Sequence, residues 1–213
     1  MPEPVIATEV AQWLCELADP SADDPLLAEM QALARERGFP IVGPEVGRLL
    51  AQVTRMLGAR RIFEMGSGFG YSTLWFARAA GDGANVFHTD GDPDNTAQAK
   101  EFLARAGVVD RVTFLCGDAM ALLRQTEGEF DIVFCDVDKQ QYPEAYEAFR
   151  ERVRVGGAVI IDNLVWSGRV ARGDDSESTV GVRGYIARMW NNPAFLSSLM
   201  PVRDGVGLSL RLR

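Results

Sequence analysis

Arg61-Ile62-Phe63-Glu64-Met65-Gly66-Ser67-Gly68-Phe69-Gly70-Tyr71-Ser72 is the stretch that decides how this chain folds. A short apolar run ends in an acid, three glycines follow on alternate positions, and a helical pattern then begins. That order predicts a buried strand, a tight glycine turn and a helix N-terminus, the arrangement by which open α/β sheets hold adenine-containing ligands. Dinucleotide sites want G-x-G-x-x-G, so that the backbone can approach a pyrophosphate. Here the pattern is E-x-G-x-G-x-G. A plain strand-to-helix turn would also accommodate these glycines, so the rest of the chain has to discriminate.

Working outward, strand patterns recur at residues 61–64, 85–88, 112–115, 131–135 and 158–161, with helical patterns between them, such as 93–106 and 142–153. Strands alternating with helices of this length imply a parallel sheet with right-handed crossovers. The tail breaks the rule. Residues 195–202 and 205–212 are two strand-like runs joined by Arg203-Asp204, too close for a helix, and so form an antiparallel hairpin at the sheet edge. Upstream, residues 8–38 read as two amphipathic helices broken around Asp19-Pro20 to Asp24-Pro25, and 45–57 as a third. The expected organisation is one domain over 1–213, with N-terminal helices over 1–57 and the sheet from 58 onward.

Composition narrows the class. The 213 residues, 47% hydrophobic and 24% charged, suit an ordinary globular domain with a full core. A net charge of −8 and a pI near 4.8 argue against a broad nucleic-acid surface. Met1-Pro2-Glu3-Pro4-Val5-Ile6 lacks a basic region followed by an apolar core, and no apolar run is long enough to span a membrane. The expectation is a cytoplasmic protein with reduced thiols, in which Cys116 and Cys135 serve as small buried residues within strands. One histidine and no close cysteine pair make structural zinc a poor fit.

The E-x-G-x-G-x-G spacing resembles motif I of the S-adenosylmethionine (SAM) methyltransferases. Five parallel strands plus a terminal hairpin is likewise the layout of the class I SAM-methyltransferase Rossmann-like fold, an α/β seven-stranded mostly parallel sheet of order 3-2-1-4-5-7-6. On that reading Gly66, Ser67, Gly68 and Gly70 let the backbone pass close to the ligand. Tyr71 and Ser72 open a helix whose N-terminus suits the methionine carboxylate. Glu64 can hold the α-ammonium group, and Asp90, followed by Gly91, can accept from both ribose hydroxyls. Asp118, flanked by Gly117 and Ala119, can accept from the adenine amine. Asp90 could instead cap the next helix, and His88 reads as a strand-end or core histidine rather than a base.

Two further acidic clusters close strands four and five: Asp136-Val137-Asp138-Lys139 and Asp162-Asn163. Ligands of open α/β sheets bind at those strand ends. Two carboxylates and an amide oxygen form a hard all-oxygen set suited to Mg²⁺, Ca²⁺ or Mn²⁺. The alternative is that Asp162-Asn163 merely begins a turn.

At this point the resemblance narrows. Asp136-Val137-Asp138-Lys139-Gln140-Gln141-Tyr142 is similar to the D-x-D-K-x-x-Y run of the cation-dependent O-methyltransferases, the group of catechol and caffeoyl-CoA O-methyltransferases and small bacterial relatives. Asp162-Asn163-x-x-Trp166-x-Gly168 resembles its D-N-x-x-W-x-G run. The likeness covers about residues 40–213, including Arg203-Asp204-Gly205-Val206-Gly207; no family pattern is visible before it, and none is readable in the loop 164–180, where the family's substrate-determining insertion lies. The resemblance implies that Asp136, Asp162 and Asn163 bind metal, Asp136 lying also beside the cofactor, that Lys139 is the catalytic base, and that Asp138 helps hold the methionine end of SAM. Positive neighbours would disfavour the ammonium form of Lys139; otherwise it is a solvated helix-start lysine. Trp166 either stacks on an aromatic acceptor or anchors its loop. The family further implies a homodimer, with the N-terminal helices as its face. The function expected is methyl transfer to a hydroxyl of a catechol-like small molecule. A tRNA hydroxyl is the second reading, disfavoured by the acidic charge, and a non-catalytic SAM-binding protein the third.

Overall fold

Ile62, Phe63 and Met65 on one strand and Ile132 to Cys135 on another are apolar toward both faces, and all are fully buried in the structure, a computed structural model that describes residues 8–20 and 23–213. Strands covered on both faces favour parallel pairing under flanking helices. These two, β1 (Arg61–Met65) and β4 (Phe130–Cys135), pair in parallel at the centre of the sheet. Around them lie β2 (Asn85–Asp90), β3 (Val112–Cys116), β5 (Val153–Ile161), β6 (Phe195–Met200) and β7 (Val206–Arg211). The order is β3-β2-β1-β4-β5-β7-β6, with β7 antiparallel to both β5 and β6. The expected α/β architecture and strand order are therefore those of the molecule. The reading of residues 1–6 lies outside the described residues.

Helices fill two layers because neighbouring residues of a strand face opposite ways. Ile62, Val86 and Phe134 meet α2 (Pro25–Arg37), α3 (Gly43–Met56), α4 (Tyr71–Ala80) and α5 (Pro93–Arg105) through Leu27, Leu50, Phe76 and Leu103. Phe63 and Val133 meet α6 (Ala119–Gln125), α7 (Tyr142–Phe149) and α8 (Glu177–Trp190) through Leu123, Phe149 and Tyr185. Truncating a buried Phe149 to Ala would cost about 3–5 kcal/mol. The first helix, α1 (Thr8–Ala18), buries only Ala18. Local sequence sets the helix ends: Asp24 caps α2 by accepting from the Leu27 amide, Pro25 opens it, and Gly38 closes it at φ 61°. Among the described residues no helix is long and apolar enough to cross a membrane.

Three local expectations need correction. The helical pattern 142–153 ends at Phe149, and Val153 already belongs to β5. Gly157 abuts β4 so closely that a Cβ there would stand 2.7 Å from the Asp131 carbonyl, and the β4–β5 register shifts between Phe130 and Ile132. Residues 177–180, read as loop, form the first turn of α8, whose N-cap Ser176 accepts from the Thr179 amide. Cys116 is exposed at the end of the edge strand β3, whereas Cys135 is buried.

Candidate functional site

The glycine turn is tied down by the ends of its neighbouring strands. The Gly66 and Ser67 amides both donate to the Thr89 carbonyl, at 3.2 and 2.9 Å, and the Gly68 amide donates to Asp90 Oδ2 at 2.8 Å. Those three donors are thus committed within the protein. What the loop offers a ligand is its bare Cα edge and the start of α4. Gly66 sits at φ 84°, and a Cβ there would lie 2.5 Å from the Asp136 carbonyl, so any side chain would push β1 and β4 apart. Gly70, the α4 N-cap, makes no side-chain cap, which leaves the first helical amides to an incoming anion.

Asp90 is not the helix cap. Its Oδ1 accepts from the Asp92 amide and from Asn95 Nδ2, its Oδ2 from Gly68, and the N-cap of α5 is Asp92. Asp118 is the N-cap of α6, with Oδ1 accepting from the Ala121 amide at 2.7 Å. Glu64 lies fully buried beneath the glycine turn. Its Oε2 accepts from Thr73 Oγ1 and, at 3.5 Å, from Ser67 Oγ, while Oε1 has no partner among the described residues. Burial pushes its carboxyl up to about 7, against the opposing hydroxyl hydrogen bonds. Thr73 Oγ1 also lies 3.1 Å from His88 Nδ1. His88 is fully buried and pushed down to about 4 by that burial, which fits the core role read from sequence.

A cavity of about 450 Å³, within the usual range for small-molecule sites, joins this half to the ends of β4 and β5. Its lining brings together Gly66, Ser67, Gly68, Tyr71, Ser72, Asp90, Asp136, Asp138, Lys139, Asp162, Asn163 and Trp166. Glu64, Gly91, Asp118 and Ala119 lie outside that lining, Glu64 below the glycine turn and the others beyond Asp90. On the β4 side, Lys139 Nζ donates to Asp136 Oδ1 at 2.7 Å and to the Val137 carbonyl at 3.3 Å. The ammonium also faces the Tyr142 and Trp166 rings, 5.3 and 5.9 Å from their centroids. Tyr142 is buried and its hydroxyl donates to the Asp162 carbonyl at 2.8 Å, coupling α7 to the end of β5. Gly181 lets α8 press on this turn: a Cβ there would stand 2.2 Å from the Lys139 carbonyl.

Asp162 is 4% exposed and its carboxyl is held well above the usual carboxylate range, first by burial and then by the Asp136 charge. Its Oδ1 accepts from the Asn163 amide at 2.8 Å. Asn163, Trp166 and Ser167 all have positive φ, of 59°, 48° and 52°. Trp166 lines the cavity and also packs, partly buried, against the core.

Sequence reasoning passed over the opposite wall, formed by Phe39, Pro40, Ile41 and Val42. The signal was available as an apolar run bracketed by Pro40 and Pro44 just before a helix. Gln140 and Ser178 also line the cavity and went unnoticed.

The residues fit both groups read from the sequence. For SAM, the orphaned buried oxygen of Glu64 lies under the loop, and the uncapped start of α4 opens into the cavity. For a divalent cation, Asp136 and Asp162 give two carboxylates whose mutual repulsion a cation would relieve, and Asn163 adds an amide oxygen. Among the described residues no three or more His, Cys, Asp or Glu side chains gather at one point that could hold a metal ion.

A family profile described as O-methyltransferase matches residues 17–212, reaching well upstream of the position 40 at which the motifs become readable. A catechol O-methyltransferase of Niastella koreensis is 32% identical over 200 residues, covering 88% of this chain and 90% of the relative. The O-methyltransferase TomG of Streptomyces achromogenes, involved in tomaymycin synthesis and solved with SAM, superposes with a TM-score of 0.82 at 28% identity, over 90% of this chain and 91% of that one. An O-methyltransferase of Bacillus cereus, solved with SAH, gives 0.85 at 27% identity, over 96% and 97%.

Proposed function

Since this chain belongs to the O-methyltransferase family and is a SAM-dependent enzyme, we propose that it methylates one hydroxyl of a catechol-like aromatic acceptor with the help of a divalent cation. The observation that carries this reading is the Lys139–Asp136 contact of 2.7 Å on a cavity wall shared with Asp162, Asn163 and Trp166. When bound, SAM supplies an electrophilic methyl on a sulfonium, and a divalent cation supplies Lewis acidity that lowers the pKa of hydroxyls it meets. Asp136, Asp162 and Asn163 are the residues that would hold the cation.

The chain's own residues do the rest. Gly66, Gly68 and the start of α4 seat the methionine end of SAM, Asp90 receives the ribose, and the committed amides of the glycine turn keep that seat rigid. With a cation and a sulfonium beside it disfavouring its ammonium form, Lys139 would take the phenolic proton at Nζ, and the freed oxygen would attack the methyl carbon in line as the carbon–sulfur bond breaks and S-adenosylhomocysteine leaves. Trp166 forms one side of the slot in which a ring lies flat. Alignment of the two reactants in such a slot can lower a barrier by roughly 7–11 kcal/mol.

The test is SAM-dependent methylation of a panel of small catechols, with Mg²⁺, Mn²⁺ or Ca²⁺ and with EDTA. Turnover that EDTA abolishes and a divalent cation restores is the expected result. Turnover indifferent to EDTA would remove the cation, and a panel left unmethylated would remove the catechol, moving the search to other hydroxyls, tRNA first.

A further inference from the structure

The turn between β6 and β7 touches both walls of the cavity. On one side the Leu164 amide donates to the Gly205 carbonyl and the Val165 amide to the Asp204 carbonyl, both at 2.8 Å, while the Ser167 amide donates to Asp204 Oδ1. This fixes the wall that carries Asn163 and Trp166. On the other side Arg203 Nη1 donates to the Ile41 carbonyl at 3.2 Å, and the tip of its guanidinium sits against Gly43, where any Cβ would collide with Nη1. Two walls far apart in sequence thus meet at one five-residue turn, residues 201–205.

Stability does not account for an arginine there. Arg203 has φ 49°, a conformation unfavourable for a side-chain-bearing residue. Its cation rests at the first residue of α3, where the helix dipole disfavours positive charge. Its hydrogen-bond partner is a carbonyl, although its charge also reaches the Asp162 carboxyl. What the residue secures is the position of Ile41 and Val42. Phe39, by contrast, is anchored independently against Phe69, at 5.1 Å between ring centroids, and against Gly68. The cofactor side of that segment therefore does not need Arg203.

We infer that Arg203 is a positioning residue for the acceptor, a clasp that sets the gap between the Ile41–Val42 wall and the Asn163–Trp166 wall. This rests on the reading above that these walls enclose the acceptor. It predicts a defect in acceptor binding, not in chemistry or SAM binding.

The experiment compares the full-length protein with Arg203→Ala, Arg203→Lys and Gly43→Ala. Hydrogen exchange without ligand should quicken at residues 39–43 in Arg203→Ala and stay unchanged at 163–168. With 1,2-dihydroxybenzene as acceptor, KM should rise about tenfold, the scale of one lost hydrogen bond, while kcat and the SAM Kd change by less than about twofold. Lysine, which can still donate to the Ile41 carbonyl, should recover most of that KM. Gly43→Ala, which meets the same guanidinium and also strains a residue at φ 76°, should raise KM at least as much. Unchanged exchange at 39–43, or a melting shift with KM untouched, would overturn the clasp. A wild-type protein that methylates no catechol would instead remove the acceptor reading, and the exchange result would still decide the clasp.

Discussion

The two halves of the cavity are built differently. At the ends of β1 and β2 the backbone does the work: the strained positions are glycines, and the amides of Gly66, Ser67 and Gly68 are all paired. At the end of β5 the positions with positive φ are Asn163, Trp166 and Ser167, and side chains carry the charge. A backbone seat suits a ligand that is the same in every turnover. A wall of strained, side-chain-bearing residues suits a ligand that differs between relatives, because single substitutions reshape it without disturbing the sheet. The comparison teaches that one wall carries its strain on side-chain-bearing residues, while the other is built from glycines and paired amides.

Breaking the chemical half should give the largest effect. Lys139→Ala should lower kcat by about 10²–10⁴, the usual weight of general base catalysis, while SAM binding by calorimetry stays within about twofold of the wild type, since the seat belongs to the other half. Equal turnover in the variant would end the base assignment.

The cofactor half can be probed through pH. Glu64 has its carboxyl raised by burial to about 7 from an ordinary 4.5. Below about 7 the folded protein holds a proton there, and the neutral acid attracts an ammonium less well, so SAM affinity should fall as pH drops from 8 to 6. In Glu64→Gln the affinity should be weaker at pH 8 and flat across that range. The stability sign is opposite. Between 4.5 and 7 the folded state keeps a proton that the unfolded chain has released, so stability falls as pH rises through that window. Glu64→Gln should therefore melt higher than the wild type at pH 8, with little difference at pH 4. A SAM affinity with the same pH slope in both proteins would show that Glu64 does not face the ammonium.

The smallest effect belongs to the strained wall. Ser167 sits at φ 52°, so Ser167→Gly should stabilise the protein by roughly 1 kcal/mol in denaturant titration. A destabilised variant would mean that the serine side chain matters more than its backbone conformation.

The same contrast explains what the sequence disclosed. The parallel strand–helix alternation and the terminal hairpin followed from local patterns and from the short link at Arg203-Asp204, because hydrophobic periodicity and turn length are local signals; the strand order came only with the resemblance to the class I fold. The glycine turn was legible because backbone approach demands Gly at fixed spacing. The acids at the ends of β2, β4 and β5 were legible because strand ends in such a sheet face one crevice. Asp118 shows the limit: position alone does not distinguish a helix cap from a ligand contact, and in the fold its Oδ1 serves as the cap. The Phe39–Val42 wall escaped notice because apolar residues before a helix look the same whether they cover a core or a cavity. The clasp at Arg203 escaped because it joins residues 162 positions apart, and no local pattern reports such a pair.

The central claim is that the carboxylates ending β4 and β5 hold a divalent cation beside Lys139. Mn²⁺ binding followed by electron paramagnetic resonance tests it without any acceptor, in the wild type and in Asp162→Ala. The account predicts one bound Mn²⁺ per chain in the wild type, and loss of that binding in the variant while SAM binding persists. Equal Mn²⁺ binding by both proteins, or none by the wild type, would contradict it.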